Sequence, residues 1–182
     1  SRLMALVIKG SSSGQVTVDV PAAAGTNTLT LPAESGNILT NDTSGTIIQM
    51  ISGTDASQRT RASTSYGSLT LNAAITPVNS SNKILCLFSG VIEVTDGGRA
   101  NLCLSRAISG GATTELLGGS ASLMREQDTS NIQTNTDFVF VDSPSTTSAT
   151  TYTLHGKTEN GNTLTLVGLG AVSTLTLLEV VA

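Results

Sequence analysis

The side chain best suited to proton transfer in this sequence is its single histidine, His155. An imidazole that titrates near neutrality can act as general base to a serine when a carboxylate orients it. Serines and carboxylates are plentiful, but there is no Gly-x-Ser-x-Gly elbow to raise a nucleophile on a strained turn. In Thr151-Tyr152-Thr153-Leu154-His155 the imidazole shares a strand face with Thr151 and Thr153. It therefore reads as an exposed or interface group, and no catalytic residue is expected. Glycan cleavage needs two carboxylates across the scissile bond. Glu93, Asp96, Glu115, Glu126, Asp128, Asp137, Asp142 and Glu159 could all supply one, but any set of 13 acidic residues would do as well. These acids read as loop or outer-face charges that keep the surface wet.

Metal chemistry finds no better footing. Cys86, Cys103 and His155 make three soft ligands where a closed tetrahedral zinc site wants four. Asp42, Asp55 and Asp128 lack the spacing of a calcium loop. No metal and no cofactor is expected, and the two cysteines read as small buried thiols. Arg59 and Arg61 suggest an intersubunit salt bridge or nothing. A sugar platform would have to use Tyr66 or Tyr152, as there is no Trp. Polar loops can still read hydroxyls by hydrogen bonding, so Asp96, Gly97, Gly98, Arg99, Ser143 and Pro144 are the candidate interaction loops. Asn41-Asp42-Thr43 and Asn79-Ser80-Ser81 match glycan acceptors but read as chance, since the opening residues show no export signal.

The elements that must position these groups follow a period of two. In Gln15-Val16-Thr17-Val18-Asp19-Val20 the valines fall on one face, and Thr28-Leu29-Thr30-Leu31, Thr163-Leu164-Thr165-Leu166 and Thr174-Leu175-Thr176-Leu177 repeat the alternation. Thr suits an outer face because its branched Cβ fits the pleat and its hydroxyl meets water. Ser and Thr supply 51 of 182 residues, which explains a surface with only 12% charged residues. Two hairpins are expected, one through Asp96-Gly97-Gly98-Arg99 and one through Glu159-Asn160-Gly161-Asn162. Gly110-Gly111 and Gly118-Gly119 mark further turns, and 143–151 is a polar loop. The one candidate helix is 121–127. Turn signals every 8–15 residues from residue 46 onward give an all-β fold, an antiparallel β-sandwich of jelly-roll type.

Net charge of −4 and a pI near 4.8 leave no basic stripe for nucleic acid. The longest apolar runs are far below the roughly 18 residues of a membrane-spanning helix, so no membrane insertion is expected. Several strands are nonetheless apolar on both faces, among them Ile84-Leu85-Cys86-Leu87-Phe88 and Phe138-Val139-Phe140-Val141. Such strands are covered on both sides or meet another subunit. Leu177, Leu178, Val180, Phe138 and Phe140 are the candidate subunit-interface residues. Residues 1–45 carry only short strands, each too small to bury much alone. They form a β-rich attachment or shaft segment, followed by a sandwich domain over 46–182.

The run from Gly14-Gln15-Val16-Thr17-Val18-Asp19-Val20-Pro21 through Gly25-Thr26-Asn27-Thr28-Leu29-Thr30-Leu31-Pro32 to Gly36-Asn37-Ile38-Leu39-Thr40 resembles a segment frequent in phage tail fibres and other virion appendages. The stretches 147–154, Thr158-Glu159-Asn160-Gly161-Asn162 and Ser173-Thr174-Leu175-Thr176-Leu177-Leu178-Glu179 look like the end of their β-sandwich domains, especially those of marine and cyanobacterial phages. The likeness covers most of the chain as patterns of strand and turn and carries no catalytic signature. It implies a non-enzymatic homotrimer on the exterior of the virion. Residues 1–45 would join other virion proteins, and the head would meet a host surface glycan or protein. Phage fibres are usually much longer than this chain, so a tail fibre, a head fibre and a capsid decoration protein all stay open. A carbohydrate-binding or glycan-cleaving module is the alternative from another class.

Overall fold

The computed structural model describes residues 6–18, 33, 43–95, 97–116, 123–127, 133–159, 162–168 and 170–182, none of them helical. The chain divides into two compact units, Ser1–Ile38 and Leu39–Ala182.

In the first unit the valine alternation makes a hairpin of β1 (Leu6–Lys9) and β2 (Gln15–Val18). Gly14, at φ 78°, lets the turn close with the Gly10 N–H on its carbonyl at 3.1 Å. Ile8 stands opposite Val16, with Val18 two positions on, and all three side chains are exposed. A lone two-stranded ribbon with an open apolar face is marginal in water.

The second unit holds eleven strands among its described residues. They are β3 (Ile47–Asp55), β4 (Arg59–Arg61), β5 (Gly67–Ile75), β6 (Lys83–Val94), β7 (Arg99–Ile108), β8 (Thr113–Leu116), β9 (Met124–Gln127), β10 (Gln133–Asp142), β11 (Thr150–Glu159), β12 (Leu164–Leu166) and β13 (Ser173–Val180). All pairings are antiparallel. In the first sheet β6 carries β10 along one edge and β13 then β12 along the other, with β3 beyond β13 and β4 beyond β12. In the second, β11 lies between β5 and β7, and β7 takes β8 and β9 along its far edge. Each sheet is thus four positions wide.

The period of two decides which side chains meet between the sheets. From β5 come Leu69, Leu71 and Ile75, from β6 Ile84, Phe88 and Ile92, and from β13 Leu175 and Leu177, all at most 2% exposed. Burying each such side chain is worth about 1.5–3 kcal/mol. One polar bridge crosses this core. Asp142 of β10 accepts from Arg106 Nη1 at 2.9 and 2.8 Å and from the Tyr152 hydroxyl at 2.7 Å, both donors on the second sheet.

Two expected hairpins are not hairpins. The loop from Val94 to Arg99 and the loop from Glu159 to Leu164 each cross from one sheet to the other. The reason is edge occupancy: β6 and β11 are already paired along both edges, so neither can take its chain neighbour. The two crossings lie side by side, with the Thr95 N–H on the Thr163 carbonyl at 3.0 Å and the Thr163 N–H on Thr95 Oγ1 at 2.9 Å. A true hairpin joins β7 to β8 through Gly110, at φ 79°. The expected helix is not formed either: β9 runs as a strand against β7, which supplies the hydrogen bonds a short helix could not. Asp96, Gly118, Gly119, Asn160 and Gly161 lie outside the described residues, as do Ala121 and Ser122.

Candidate functional site

The candidate loops do not converge. Asp142, just before Ser143 and Pro144, pairs with Ile84 at one end of β6, whereas Gly97, Gly98 and Arg99 follow its other end at Val94. Ten residues of strand separate the two ends by about 34 Å. Pro144 is buried, Ser143 Oγ accepts from Lys83 Nζ at 2.9 Å, and Arg99 lies 3.5 Å from Glu159. Glu159 also takes Arg125 at 3.0 Å and Asn101 at 3.3 Å, and these donors hold its carboxyl below the usual range despite some desolvation.

The outer face of the second sheet gathers most of the polar chemistry. On β11 Thr151, Thr153, His155, Lys157 and Glu159 point outward between buried Tyr152, Leu154 and Gly156. Because β7 pairs with β11 on one side and β8 on the other, Ser105 and Glu115 are brought beside His155. Ser105 Oγ lies 2.9 Å from His155 Nε2, and His155 Nδ1 lies 3.8 Å from Glu115 Oε1. Burial lowers the imidazole pKa and nearby Arg61 adds to that, outweighing the upward pull of Glu115. His155 is therefore neutral at pH 7, the state a general base needs. Ser105 is only 2% exposed, however, so its hydroxyl is closed to a substrate carbonyl. The Glu115 carboxylate is also too far for a hydrogen bond. As built, the trio is a polar clasp rather than an open nucleophile. Sequence reasoning put His155 on its outward face and named Glu115 only as one of many scattered acids; Ser105 went unnamed, and the strand register alone brings the three together.

Around the clasp the groups are similarly subdued. Burial, with Glu115 nearby, pushes the Cys103 thiol up to about 12, and burial does the same for Cys86. Neither cysteine is paired, and a thiol that stays protonated is a poor nucleophile or ligand. Lys157 Nζ lies 4.5 Å from the centre of the Tyr66 ring, and these two residues border a hollow with Thr64, Ser65 and Glu115. Tyr152 is no sugar platform, since its ring is wholly buried. Asp142, read as a surface charge, is a buried acceptor, because the alternation of β10 turns it inward. Arg59 pairs with Asp55 of its own chain at 2.9 Å, and the Arg61 guanidinium donates to the Ser65 carbonyl at 2.8 Å. Asp42 and Asp128 lie outside the described residues.

The outer face of the first sheet has the opposite character. Val141 stands opposite Leu85, Leu85 opposite Leu178, and Leu178 opposite Met50, an aliphatic row across all four positions. Val139 beside Leu87 and Val180 beside Ile47 extend it on either side. Met50 is 66% exposed, Val139 62%, Val141 57% and Ile47 55%. Lys83 borders one end of the patch and Asp137 the other. Of the five expected interface residues, Leu178 and Val180 lie on this face. Leu177 and Phe138 are buried between the sheets and Phe140 packs against the core, because alternation sends them inward.

No family model and no curated protein matches the chain. Solved structures similar to it include the infectious bursal disease virus Gt strain, at 13% identity and TM-score 0.43, covering 95% of this chain and 46% of that one. The Gx strain of the same virus is 15% identical at TM-score 0.43, with 94% of this chain and 48% of that one covered. The VP2 subviral particle of infectious bursal disease virus is 15% identical at TM-score 0.40, with coverage of 92% and 47%. The chain spans about half the length of each.

Proposed function

We propose that this chain is a non-enzymatic structural protein of a phage particle. It assembles as a homotrimeric, fibre-like appendage whose residues 1–45 join other virion proteins and whose sandwich, 46–182, is exposed and meets the host surface. The observation that carries the trimer is the uncovered aliphatic row from Val141 to Met50. About 14 Å of continuous apolar sheet, three strand spacings, is a liability for a protein that stays single. The β1–β2 ribbon, with Ile8, Val16 and Val18 open to solvent, supports an attachment segment completed by other chains. Virion membership rests on the resemblance of the 14–40 and 147–179 stretches to phage appendages. The solved structures named above are likewise of virus particles.

The deciding measurement is molar mass by light scattering at micromolar concentration. A mass of three chains is expected, and a well-behaved single chain overturns the proposal. A capsid decoration protein is the second reading, since Thr-rich outer strands and an apolar face would serve a clamp as well. Labelling the protein on intact particles and imaging them separates the two, by tail or shell position.

A further inference from the structure

The outer face of the second sheet holds a hollow with one wall fixed before anything enters it. The hollow measures about 280 Å³ and is lined by Thr64, Ser65, Tyr66, Glu115 and Lys157. The loop between β4 and β5, which carries the first three, is locked by bonds that need no ligand. The Ser63 carbonyl accepts from the Thr158 N–H at 2.8 Å and from the Thr158 hydroxyl at 3.3 Å. The Ser65 carbonyl accepts from Arg61 Nη2 at 2.8 Å, and the Ser65 N–H donates to Ser63 Oγ at 3.2 Å. Gly67 makes room for this clamp, since a Cβ there would collide with the Arg61 guanidinium. The other wall comes from Glu115 on β8 and Lys157 on β11. A wall already held in place lowers the ordering cost of binding.

We infer that this hollow takes the terminal pyranose ring of a glycan. The inference gives a chemistry to the host-facing contact proposed above and rests on that reading for its setting. Size is the first reason: the volume lies just below the roughly 300–1,000 Å³ of small-molecule pockets, which suits one ring and not a longer chain. Charge is the second. The Glu115 carboxylate only accepts, the Lys157 ammonium only donates, and the hydroxyls of Thr64 and Ser65 do both. With one lining charge of each sign, an anion or a cation meets repulsion as well as attraction. An apolar ligand would strip water from both charges and return nothing. A neutral polyol donates to one and accepts from the other. The base is polar too, since the buried His155 Nδ1 makes no hydrogen bond and lies 3.8 Å from Glu115. The half-buried Tyr66 ring supplies the apolar flank on which the C–H groups of a sugar pack. Because the aliphatic face belongs to the other sheet, covering that face leaves this hollow open.

The test uses the full-length chain and the methyl pyranosides of glucose, galactose and mannose, read by saturation-transfer NMR on the sugar protons. At least one should bind with a Kd of about 1 mM, the range of a single ring in a shallow site. Glu115→Ala should weaken it by about tenfold or more, and Thr151→Ala, further along β11, should leave it unchanged. Glu115 is exposed, so its variant keeps the fold, which guards against a loss of structure in the companion Tyr66→Ala. No binding of any of the three, or binding that survives both variants, overturns the site. Retention on beads carrying the bound sugar supports a terminal ring of a glycan. Binding in solution without retention overturns the glycan and leaves a free sugar as the ligand. A native mass of three chains with no sugar binding overturns this site alone, whereas a single chain that binds sugar keeps the site and overturns the trimer.

Discussion

The two outer faces of the sandwich are built by the same alternation and end in opposite condition. The second sheet turns outward Asn101, Ser105, Thr153, His155 and Glu159, and these groups bond to one another: Ser105 with His155, and Asn101, Arg99 and Arg125 with Glu159. The first sheet turns outward Leu85, Leu87, Val139, Val141, Leu178 and Met50, which cannot satisfy themselves that way. A polar face bonded largely within its own chain, with His155 Nδ1 left over, can meet water, whereas an aliphatic one lowers its free energy only by being covered. Two sheets of one fold thus meet their surroundings on different terms, one through bonded polar groups and one through bare aliphatic side chains.

The harshest way to break this contrast is to disturb what holds both sheets in place. Asp142→Ala would leave Arg106 unpaired and the Tyr152 hydroxyl without its acceptor. A loss of about 3 kcal/mol is expected in urea denaturation, because a charge is stranded in the interior. An unchanged midpoint would show that the bridge holds nothing.

Next in size is Leu178→Asp, which places a charge at the centre of the aliphatic row. Light scattering should find a single chain, while Thr153→Asp on the other face should leave the native mass as it was. Equal effects from both would erase the distinction between the faces.

A smaller change is expected from Ser105→Ala. Losing one hydrogen bond to the clasp should cost about 1 kcal/mol, with no change in native mass.

The smallest effect is the pH dependence. The folded-state pKa of His155 is lowered, so the unfolded chain takes up its proton first. Stability that is complete above the unfolded histidine value of about 6.5 should begin to fall as pH drops below it. His155→Gln should flatten that part of the curve. Asp55 acts in a lower window. Its carboxyl is held at about 2, chiefly by the hydrogen bond from Arg59, so its contribution is present above the ordinary 3.8 and is lost as pH falls toward 2. If the wild-type curve is flat between pH 7 and 5, the imidazole is not buried as described.

Much of the fold was legible in the residues. Leu175 and Leu177 alternate with Thr174 and Thr176, and a period-two pattern has only one way to bury its apolar half. Thr151, Thr153 and His155 on one face of β11 follow from the same rule. The hairpins were misread because glycine and asparagine permit a tight reversal and an inter-sheet crossing equally well. What separates the two is whether the flanking strand still has a free edge, which depends on distant segments. The clasp stayed hidden for a related reason: Ser105 and His155 are 50 residues apart and meet only through the β7–β11 register. Of the five interface candidates only Leu178 and Val180 lie on the outer face, because Phe138 and Val139 are both apolar and only the direction of the core tells inside from outside.

Local chemistry therefore settled that this chain forms strands and that several of them are apolar on both faces. Backbone propensity and side-chain alternation are properties of neighbours, so they can be read along the chain. Which strands pair, which of two apolar faces turns inward, and which polar groups meet were left to the packed fold. Those outcomes depend on edge occupancy and on competition between surfaces far apart in sequence.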